Sequence, residues 1–351
     1  MCGINLKCFE GEKIKMKFLQ IGLGSMGKRR IRNLFSLGMK DIIGFDLKKE
    51  RREECEKKYS LKTIDNLNDK TLSQSDALII SVPPAVHSQY ILLAIKNNKH
   101  FFVEASVLDT DMIEIIRRVK GKSIVAAPSA TMLFHPGIKK ISEIVKNGEL
   151  GKISNVLYHS GQYLPDWHKY EKVSNFYVSN RATGGDRELV PFELTWLTNI
   201  FGFPKTLCGY NKKTIVIKGA EEIDDTYNFL MDYNNLLISV VVDVVSRYAT
   251  RRLLINGDKK QLLWSWDANY IKLFNPLTNN WQEIPYEMKK AEEGYSQNIG
   301  ENMYIEEMQN FIDTIHGKKK FINSMEKDYQ VLKLLYAIEK SMKLKKYVRF
   351  E

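Results

Sequence analysis

Residues Lys17–Gly27, which read KFLQIGLGSMG, decide the fold. A short β-rich run leads directly into the pattern G-x-G-x-x-G, and a segment with a helical period follows it. In this setting the first glycine permits a tight turn, the second lets the backbone approach a pyrophosphate, and the third lets helix and strand pack closely. Free amides and the positive dipole at the helix start favour an anion. We therefore predict a dinucleotide-binding loop formed by Gly22, Leu23, Gly24, Ser25, Met26 and Gly27. The alternative is a glycine turn that only packs.

Asp46 ends the next β-rich run, about 20 positions beyond the loop. A carboxylate at that place accepts hydrogen bonds from the adenosine ribose hydroxyls, which predicts NAD as the cofactor. NADP is disfavoured because its 2′-phosphate would meet a like charge, although Lys48 or Arg51 could offset part of that repulsion. The alternative for Asp46 is a strand-end turn residue that caps the following helix.

Working outward from the loop, β-rich runs alternate with amphipathic segments through residues 16–128. The runs are KFLQIG, DIIGFD, LKTI, DALIISV, HFFVEA and SIVAA. Such alternation implies βαβ crossovers and a parallel sheet. We predict an α/β protein whose residues 16–128 form a Rossmann dinucleotide-binding domain, preceded by an N-terminal extension over residues 1–15.

The chain becomes mostly strand-like from about residue 151 to 285. Its runs include NVLYHSGQY, TIVIKG, NFLMDY, LLISVVVDVV and RRLLING, separated by turns. This pattern is typical of an antiparallel sheet, one face of which needs cover. We predict that residues 129–351 form an α/β domain, built on a large, mostly antiparallel sheet, for substrate binding and oligomerisation. Because three helical segments are too few to cover such a sheet, we expect a homo-oligomer, either a dimer or a tetramer.

The composition excludes several classes of protein. The 351 residues are 44% hydrophobic and 27% charged, as expected for a globular chain of two domains. The formal net charge of +11 comes with no zinc-finger spacing, RNA-recognition signature or basic aromatic arm, so we predict neither a nucleic-acid partner nor a metal site. Four scattered cysteines, the absence of a secretory signal and the lack of an apolar run of about 20 residues predict a cytoplasmic protein without a membrane span.

Three further segments resemble the glucose-fructose oxidoreductase/inositol dehydrogenase (Gfo/Idh/MocA) family. They are SVPPAVH at residues 81–87, HFFVEAS at residues 100–106 and FHPGIKKISEIVKNGELGKI at residues 134–153. With the glycine loop, they extend the resemblance over nearly the whole chain. The resemblance implies a Rossmann domain followed by a domain built on a large, mostly antiparallel sheet. It also implies that Val82, Pro83, His87 and Glu104 line the nicotinamide half of the cofactor cleft. The alternative for His87 is a helix-start residue bonded to the backbone.

The sequence departs from the family pattern at two positions. Ala105 stands where the family's E-K-P stretch has a lysine, which contacts substrate and cofactor and often shuttles the proton. Phe192 stands where its D-x-x-x-H pair has a histidine, while Glu188 retains the acid. General acid–base catalysis contributes about 10²- to 10⁴-fold, so an active enzyme must have relocated it. We predict His168 and Glu188 as catalytic candidates, because an imidazole or a desolvated carboxyl can move a proton near neutral pH.

The segment from Tyr163 to Leu197 resembles a subgroup associated with bacterial surface-polysaccharide and sugar clusters. A sugar face stacks on aromatic rings, acids bind its hydroxyls, and Arg holds a carboxylate or phosphate at two points. The predicted substrate-binding residues are Tyr163, Asp166, Trp167, Arg187 and Glu193. The alternatives are a structural turn at residues 165–167 with His168 on the surface, and an Arg187–Glu188 pair at a helix start.

The leading hypothesis is an NAD(P)-dependent oxidoreductase that acts on a sugar or nucleotide sugar in surface-glycan biosynthesis. One alternative is a sugar epimerase or eliminase that retains NAD without net redox change. The other is a non-catalytic nucleotide-binding family member, which the substitutions Ala105 and Phe192 would suit. Turnover without free NADH distinguishes the first alternative, and nucleotide affinity without chemistry on any sugar distinguishes the second.

Overall fold

The computed structural model describes residues 15–167, 172–289 and 300–350. The expected N-terminal extension lies outside the described residues except for Lys15. The first sheet has the order β3-β2-β1-β4-β5-β6, and all neighbouring strands run parallel. Its strands are β1 (Lys17–Ile21), β2 (Asp41–Phe45), β3 (Lys62–Ile64), β4 (Ala77–Ile80), β5 (His100–Val103) and β6 (Ala126–Pro128). This doubly wound order confirms the predicted Rossmann architecture.

Helices connect these parallel strands. They are α1 (Ser25–Ser36), α2 (Lys49–Tyr59), α3 (Asp69–Gln74), α4 (His87–Lys96) and α5 (Met112–Val119). The sequence pattern did not predict α3, because its six residues are too few to show an apolar period. A cap defines its start, since the Asn68 side chain accepts a hydrogen bond from the Thr71 amide.

The second sheet has nine strands in the order β14-β13-β12-β11-β7-β10-β9-β8-β15. They are β7 (Ile153–Gly161), β8 (Thr206–Lys212), β9 (Thr226–Asp232), β10 (Leu237–Asp243), β11 (Thr250–Gly257), β12 (Gln261–Ser265), β13 (Tyr270–Asn275), β14 (Asn280–Pro285) and β15 (Val348–Arg349). Strands β7 and β10 pair in parallel and all other neighbours are antiparallel, as predicted. The strand expected at residues 214–219 is wrong: the amides of Thr214 and Ile215 donate to the Asp225 carboxylate instead of to a neighbouring strand.

Four helices complete the fold: α6 (Pro136–Lys146), α7 (Asp186–Phe201), α8 (Glu301–Ile315) and α9 (Met325–Leu344). Helix α7 packs fully on the inner face of the second sheet, with Trp196 in that core. Helices α8 and α9 contact both cores, since Met303 and Leu335 pack with the second sheet whereas Phe311 and Leu332 pack with the first. Within the described ranges, none of the helices has the length and apolar character needed to cross a bilayer.

Candidate active site

A cleft with a volume of about 1230 Å³ lies where the two sheets meet. The glycine loop, the carboxyl ends of the parallel strands, the start of α7 and the inner face of the second sheet all contribute to it. Of the predicted site residues, the cleft is lined by Gly22, Gly24, Ser25, Met26, Asp46, Val82, Pro83, His87, Glu104, Trp167 and Glu188. Predictions from distant parts of the sequence therefore meet in one place.

The glycine loop has the geometry that a dinucleotide requires. Gly22 has a φ of 90°, and a Cβ there would lie 2.3 Å from the Ser81 carbonyl oxygen. A Cβ at Gly27 would lie 1.9 Å from the Gly22 carbonyl oxygen, so helix α1 packs against the turn as closely as predicted. At Gly24 the nearest atom to such a Cβ is Nη1 of Arg51, at 3.6 Å. Backbone atoms therefore pack closely against Gly22 and Gly27, while the side of the loop at Gly24 is open to a ligand.

Asp46 is anchored by two backbone amides. Its Oδ2 accepts a hydrogen bond of 2.8 Å from the Leu23 amide and its Oδ1 one of 2.9 Å from the Lys48 amide. Arg51 Nη1 lies 3.6 Å from Oδ2. The Leu23 amide therefore donates to the Asp46 carboxylate and is already used within the protein. Asp46 is thereby fixed at the strand end, and the start of α1 is the part of the loop that can meet phosphates.

The segment after β4 carries a buried, neutral imidazole. His87 Nε2 lies 2.8 Å from the Val82 carbonyl oxygen, and because a carbonyl only accepts, Nε2 donates. Burial lowers the pKa of His87 to about 4, so it is uncharged at neutral pH. Its Nδ1 has no hydrogen-bond partner within the described residues. His87 is thus bonded to the backbone at a helix start, as the alternative predicted, and also lines the cleft beside Pro83.

Glu104 is held by an arginine from the helix after the glycine loop. Arg30 Nε and Nη2 donate to the two Glu104 oxygens at 2.7 and 2.8 Å, and the Ser81 hydroxyl donates to Oε1 at 3.1 Å. Arg30 Nη1 also lies 2.9 Å from the Glu307 carboxylate of α8. The next residue, Ala105, presents only a methyl group to the cleft. Glu104 is therefore held in place, its charge is balanced by Arg30, and it lines the cofactor half of the cleft.

Glu188 has the electrostatic properties of an acid–base group. Its Oε1 accepts a hydrogen bond from the Tyr177 hydroxyl, and its enclosed Oε2 has no partner among the described residues. Desolvation raises the pKa of Glu188 to about 7, although the Tyr177 hydrogen bond acts in the opposite direction. Both side chains line the cleft. Near neutral pH this carboxyl can therefore both take up and release a proton.

Arg187 and Glu193, the two predicted substrate-binding residues on α7, form ion pairs with other elements of the protein. Arg187 Nε donates to Glu339 of α9 at 2.6 Å, and its Nη1 donates to the Val107 carbonyl oxygen at 2.9 Å. Arg187 does not pair with Glu188, so the alternative of an ion pair at the helix start is wrong. It does not line the cleft, and its substrate-binding role stays a prediction. Glu193 is fully buried and pairs with Arg251 at 2.9 Å. Both residues fasten α7 to its neighbours.

Two further predicted site residues do not line the cleft, and a third lies outside the described residues. The Tyr163 ring packs under the Arg247 guanidinium, with 3.9 Å between Cζ and the ring centroid, and does not line the cleft. Asp166 belongs to the 3₁₀ turn Leu164–Asp166, as the structural-turn alternative proposed, and does not line the cleft either. His168 lies outside the described residues.

The cleft residues that the sequence did not predict include Tyr177, Arg251 and Tyr304. Arg251 had a usable signal, because alternation along β11 places it on the same face as Leu253 and Ile255, which are core residues. An arginine on an apolar face needs a partner or a ligand. Tyr177 and Tyr304 gave no such signal.

Two family models, one for each domain of the same oxidoreductase family, match the chain. The oxidoreductase family with an NAD-binding Rossmann fold matches residues 16–114, and the GFO/IDH/MocA C-terminal domain matches residues 138–263. The open loop and the anchored Asp46 fit the NAD that the first family binds.

Individual relatives agree with these matches. The chain is 21% identical to myo-inositol 2-dehydrogenase of Thermotoga maritima over 96% of this chain and 99% of that protein. It is 31% identical to the uncharacterized oxidoreductase YrbE of Bacillus subtilis over 37% of this chain and 40% of that protein. A levoglucosan dehydrogenase solved with NADH shares the fold at a TM-score of 0.82 and 14% identity, covering 96% of this chain and 100% of that one. The chain therefore belongs to the Gfo/Idh/MocA family of oxidoreductases.

Proposed function

We propose that this protein is an NAD-dependent oxidoreductase that interconverts a hydroxyl and a ketone on a sugar or nucleotide sugar, with Glu188 as its acid–base group. The observation that carries this proposal is the enclosed Glu188 carboxyl, whose pKa is raised to about 7 and whose Oε2 has no partner within the described residues. A decayed site would not need to retain a desolvated acid, because burying an unpaired carboxyl destabilises the fold.

The cofactor half of the cleft supports NAD. Asp46 presents a fixed carboxylate where the adenosine ribose is expected, and a 2′-phosphate there would meet like-charge repulsion. Arg51 is 3.6 Å from that carboxylate and partly exposed, so it could offset some of the repulsion for NADP. NAD is therefore the proposed cofactor and NADP the weaker one.

Oxidation of a hydroxyl to a ketone needs one acceptor for the hydride and one for the proton. Bound NAD supplies a hydride acceptor at the nicotinamide ring. As the carbinol C–H electron pair leaves as hydride, Glu188 Oε2 takes the hydroxyl proton and the carbon–oxygen double bond forms. Tyr177 donates to Oε1, and Oε2 has no partner among the described residues. In the reverse direction Glu188 returns the proton to the new alkoxide. His168 stays a second candidate for this proton.

The substrate half supports a sugar. Trp167, Phe176 and Phe192 give the cleft aromatic faces of the kind on which sugar rings stack. Relatives of similar fold are named for polyol and sugar substrates, myo-inositol and levoglucosan. Together with the resemblance of the segment from Tyr163 to Leu197 to proteins of surface-polysaccharide clusters, this favours a role in surface-glycan biosynthesis.

The test follows NADH formation with purified protein across a panel of monosaccharides, nucleotide sugars and surface-glycan precursors. We expect turnover on a member of the panel. Glu188→Gln should lower kcat by about 10²- to 10⁴-fold while leaving NAD affinity unchanged, because the lost group acts only in proton transfer. Glu143→Gln, on the exposed face of α6, is the matched control and should leave kcat unchanged.

Three results would contradict the proposed activity or the proposed role of Glu188. No turnover on any sugar, with NAD still bound, would favour the non-catalytic alternative. Sugar turnover without free NADH would favour an epimerase or eliminase. Full activity in Glu188→Gln would remove Glu188 from the mechanism, and a loss of activity in His168→Ala would then assign the proton to His168.

A further inference from the structure

Arg251 places a guanidinium group at the substrate end of the cleft. It lies on the inner face of β11, only 8% of its side chain is exposed, and it lines the cleft. Its Nε donates to Glu193 Oε1 at 2.9 Å. The guanidinium carbon lies 6.0 Å from the centre of the Phe192 ring. Ion pair and ring together fix the plane of this group.

The Glu193 carboxylate is fully used in holding that arginine. Its Oε1 also accepts from the Ser160 hydroxyl at 2.9 Å, and its Oε2 accepts from the Tyr158 hydroxyl at 2.6 Å and from Trp196 Nε1 at 2.8 Å. None of the described residues accepts a hydrogen bond from Arg251 Nη1 or Nη2. A buried arginine thus keeps two donor nitrogens, side by side, for a group that enters the cleft.

These donors lie close to the proposed proton-transfer group. Glu188 and Phe192 are four residues apart on α7, so they occupy the same face of the helix, about 6 Å apart along it. Arg251 packs against Phe192, and all three line one cleft. A substrate held at Arg251 would therefore have the next carbons of its chain or ring near Glu188.

We infer that the substrate carries a carboxylate, bound by Arg251 through Nη1 and Nη2. Two parallel N–H donors match the two oxygens of a planar carboxylate, which gives direction as well as affinity. A phosphate shares the oxyanion chemistry and is the other source that the test must distinguish. This inference rests on the proposed function and specifies its substrate as a sugar acid.

The test measures binding to the NAD-loaded protein by calorimetry and by intrinsic tryptophan fluorescence, to which Trp167 in the cleft contributes, independently of turnover. The probes are D-glucuronate, its neutral amide D-glucuronamide, D-glucose and D-glucose 6-phosphate. We expect D-glucuronate to bind about 10- to 100-fold more tightly than D-glucuronamide, as for a charged hydrogen-bonded pair. Arg251→Gln should abolish that preference. Arg252→Gln should retain it, because this neighbouring arginine lies on the exposed face of the same strand.

A second variant covers the case in which Arg251→Gln fails to fold because Glu193 is left unpaired. Glu193→Gln combined with Arg251→Gln removes both charges and should also lose the preference while binding NAD normally. Equal affinity for D-glucuronate and D-glucuronamide, or a preference that survives in the Arg251 variants, would overturn the inference and leave the proposed function standing. Arg251-dependent binding of D-glucose 6-phosphate alone would assign the subsite to a phosphate and overturn the carboxylate. Failure of every sugar to bind would count against both proposals.

Discussion

Glu188 occupies surroundings that stabilise its neutral form and leave the charged form poorly solvated. One oxygen has the Tyr177 hydroxyl as its partner and the other has none among the described residues. Such a carboxyl weakens the fold at pH values where it is ionised. Active sites commonly carry this kind of local cost, because a group that titrates near neutral pH must be held away from its ordinary environment.

Glu188→Gln should therefore increase stability in a pH-dependent way. The pKa of Glu188 is about 7 in the folded protein against 4.5 ordinarily, so the folded state binds the proton more tightly. Its effect on the free energy of unfolding is absent below about pH 4.5, and it destabilises progressively as pH rises to about 7. At about pH 8 the glutamine variant should be more stable by up to about 3 kcal/mol, and at about pH 4.5 the gain should vanish.

Urea unfolding of both proteins at the two pH values measures this difference. Glu143→Gln, on the exposed face of α6, should show no change at either pH. An equal gain for Glu188→Gln at both pH values would contradict the raised pKa, because an effect independent of pH cannot come from its titration.

Residue positions that depend on local sequence context could be predicted, whereas the partners of residues that are distant in sequence could not. Asp46 follows the glycine loop at a spacing that the βαβ unit imposes, so its position at the cofactor end could be predicted. Arg187 and Glu193 lie beside Glu188 in sequence, yet their partners Glu339 and Arg251 come from α9 and β11. Only the packing of these elements shows that both side chains form ion pairs within the protein.

Apolar periodicity predicted the long helices and strands. It missed the places where a single polar side chain starts a helix or prevents a strand. Except for the short and partly exposed β3, the strands of the first sheet are largely buried apolar runs, and their parallel order followed from the crossovers between them. Helix α3 begins at the Asn68 cap, and the apolar run at residues 214–219 is not a strand because Asp225 binds its first amides. Side-chain bonds to the backbone compete with regular structure without leaving a periodic signal.

Two glycines of the loop between β1 and α1 allow the effect of a mutation on NAD binding to be separated from its effect on folding. Gly24→Ala meets only the Arg51 guanidinium at an ordinary contact distance, so thermal stability should be nearly unchanged. Its methyl group would occupy the open side of the loop, and NAD affinity should fall by about 10-fold or more. Gly27→Ala would place a methyl group 1.9 Å from the Gly22 carbonyl oxygen and should instead destabilise the whole domain.

Calorimetric titration with NAD and thermal unfolding of the two variants measure the two effects. Gly38→Ala would be an unsuitable control because Gly38 has a φ of 79°, whereas Ser73→Ala, on the exposed side of α3, leaves the cleft untouched and should keep NAD affinity. Unchanged NAD affinity in Gly24→Ala would show that the pyrophosphate does not pass over this loop.

Buried charges join helix α8 to helix α1 and to the carboxyl ends of the parallel strands. Glu307 of α8 accepts hydrogen bonds from the Ala130 amide at 2.6 Å and from the Thr131 hydroxyl at 2.8 Å, just after β6, and its carboxylate faces Arg30. Arg30 in turn holds Glu104 at the cofactor end of the cleft. This network crosses residue 128, where the sequence predicted the domain boundary. That boundary stays a prediction, and the contacts of α8 and α9 give the two parts a common interior.

The outer face of the second sheet is the surface we expect to mediate oligomerisation. Leu157, Leu254 and Leu263 lie side by side across β7, β11 and β12, and Leu157 and Leu263 remain 48% and 37% exposed. No helix covers this row within the described parts of the chain, since α7 and α9 pack on the opposite face. Contiguous apolar surface of this kind is commonly buried against a second copy. We therefore propose that two chains pack through this face.

Leu157→Glu should then convert the oligomer into monomers, because two carboxylates would be buried in a symmetric interface without partners. Light scattering at micromolar concentration measures the mass, and a dimer or tetramer is expected for the unaltered protein. Leu277→Glu is the matched control, since Leu277 is 94% exposed in the turn between β13 and β14 and lies off this row. A monomeric mass for the unaltered protein would contradict the proposal. An oligomer that survives Leu157→Glu would place the interface on another surface.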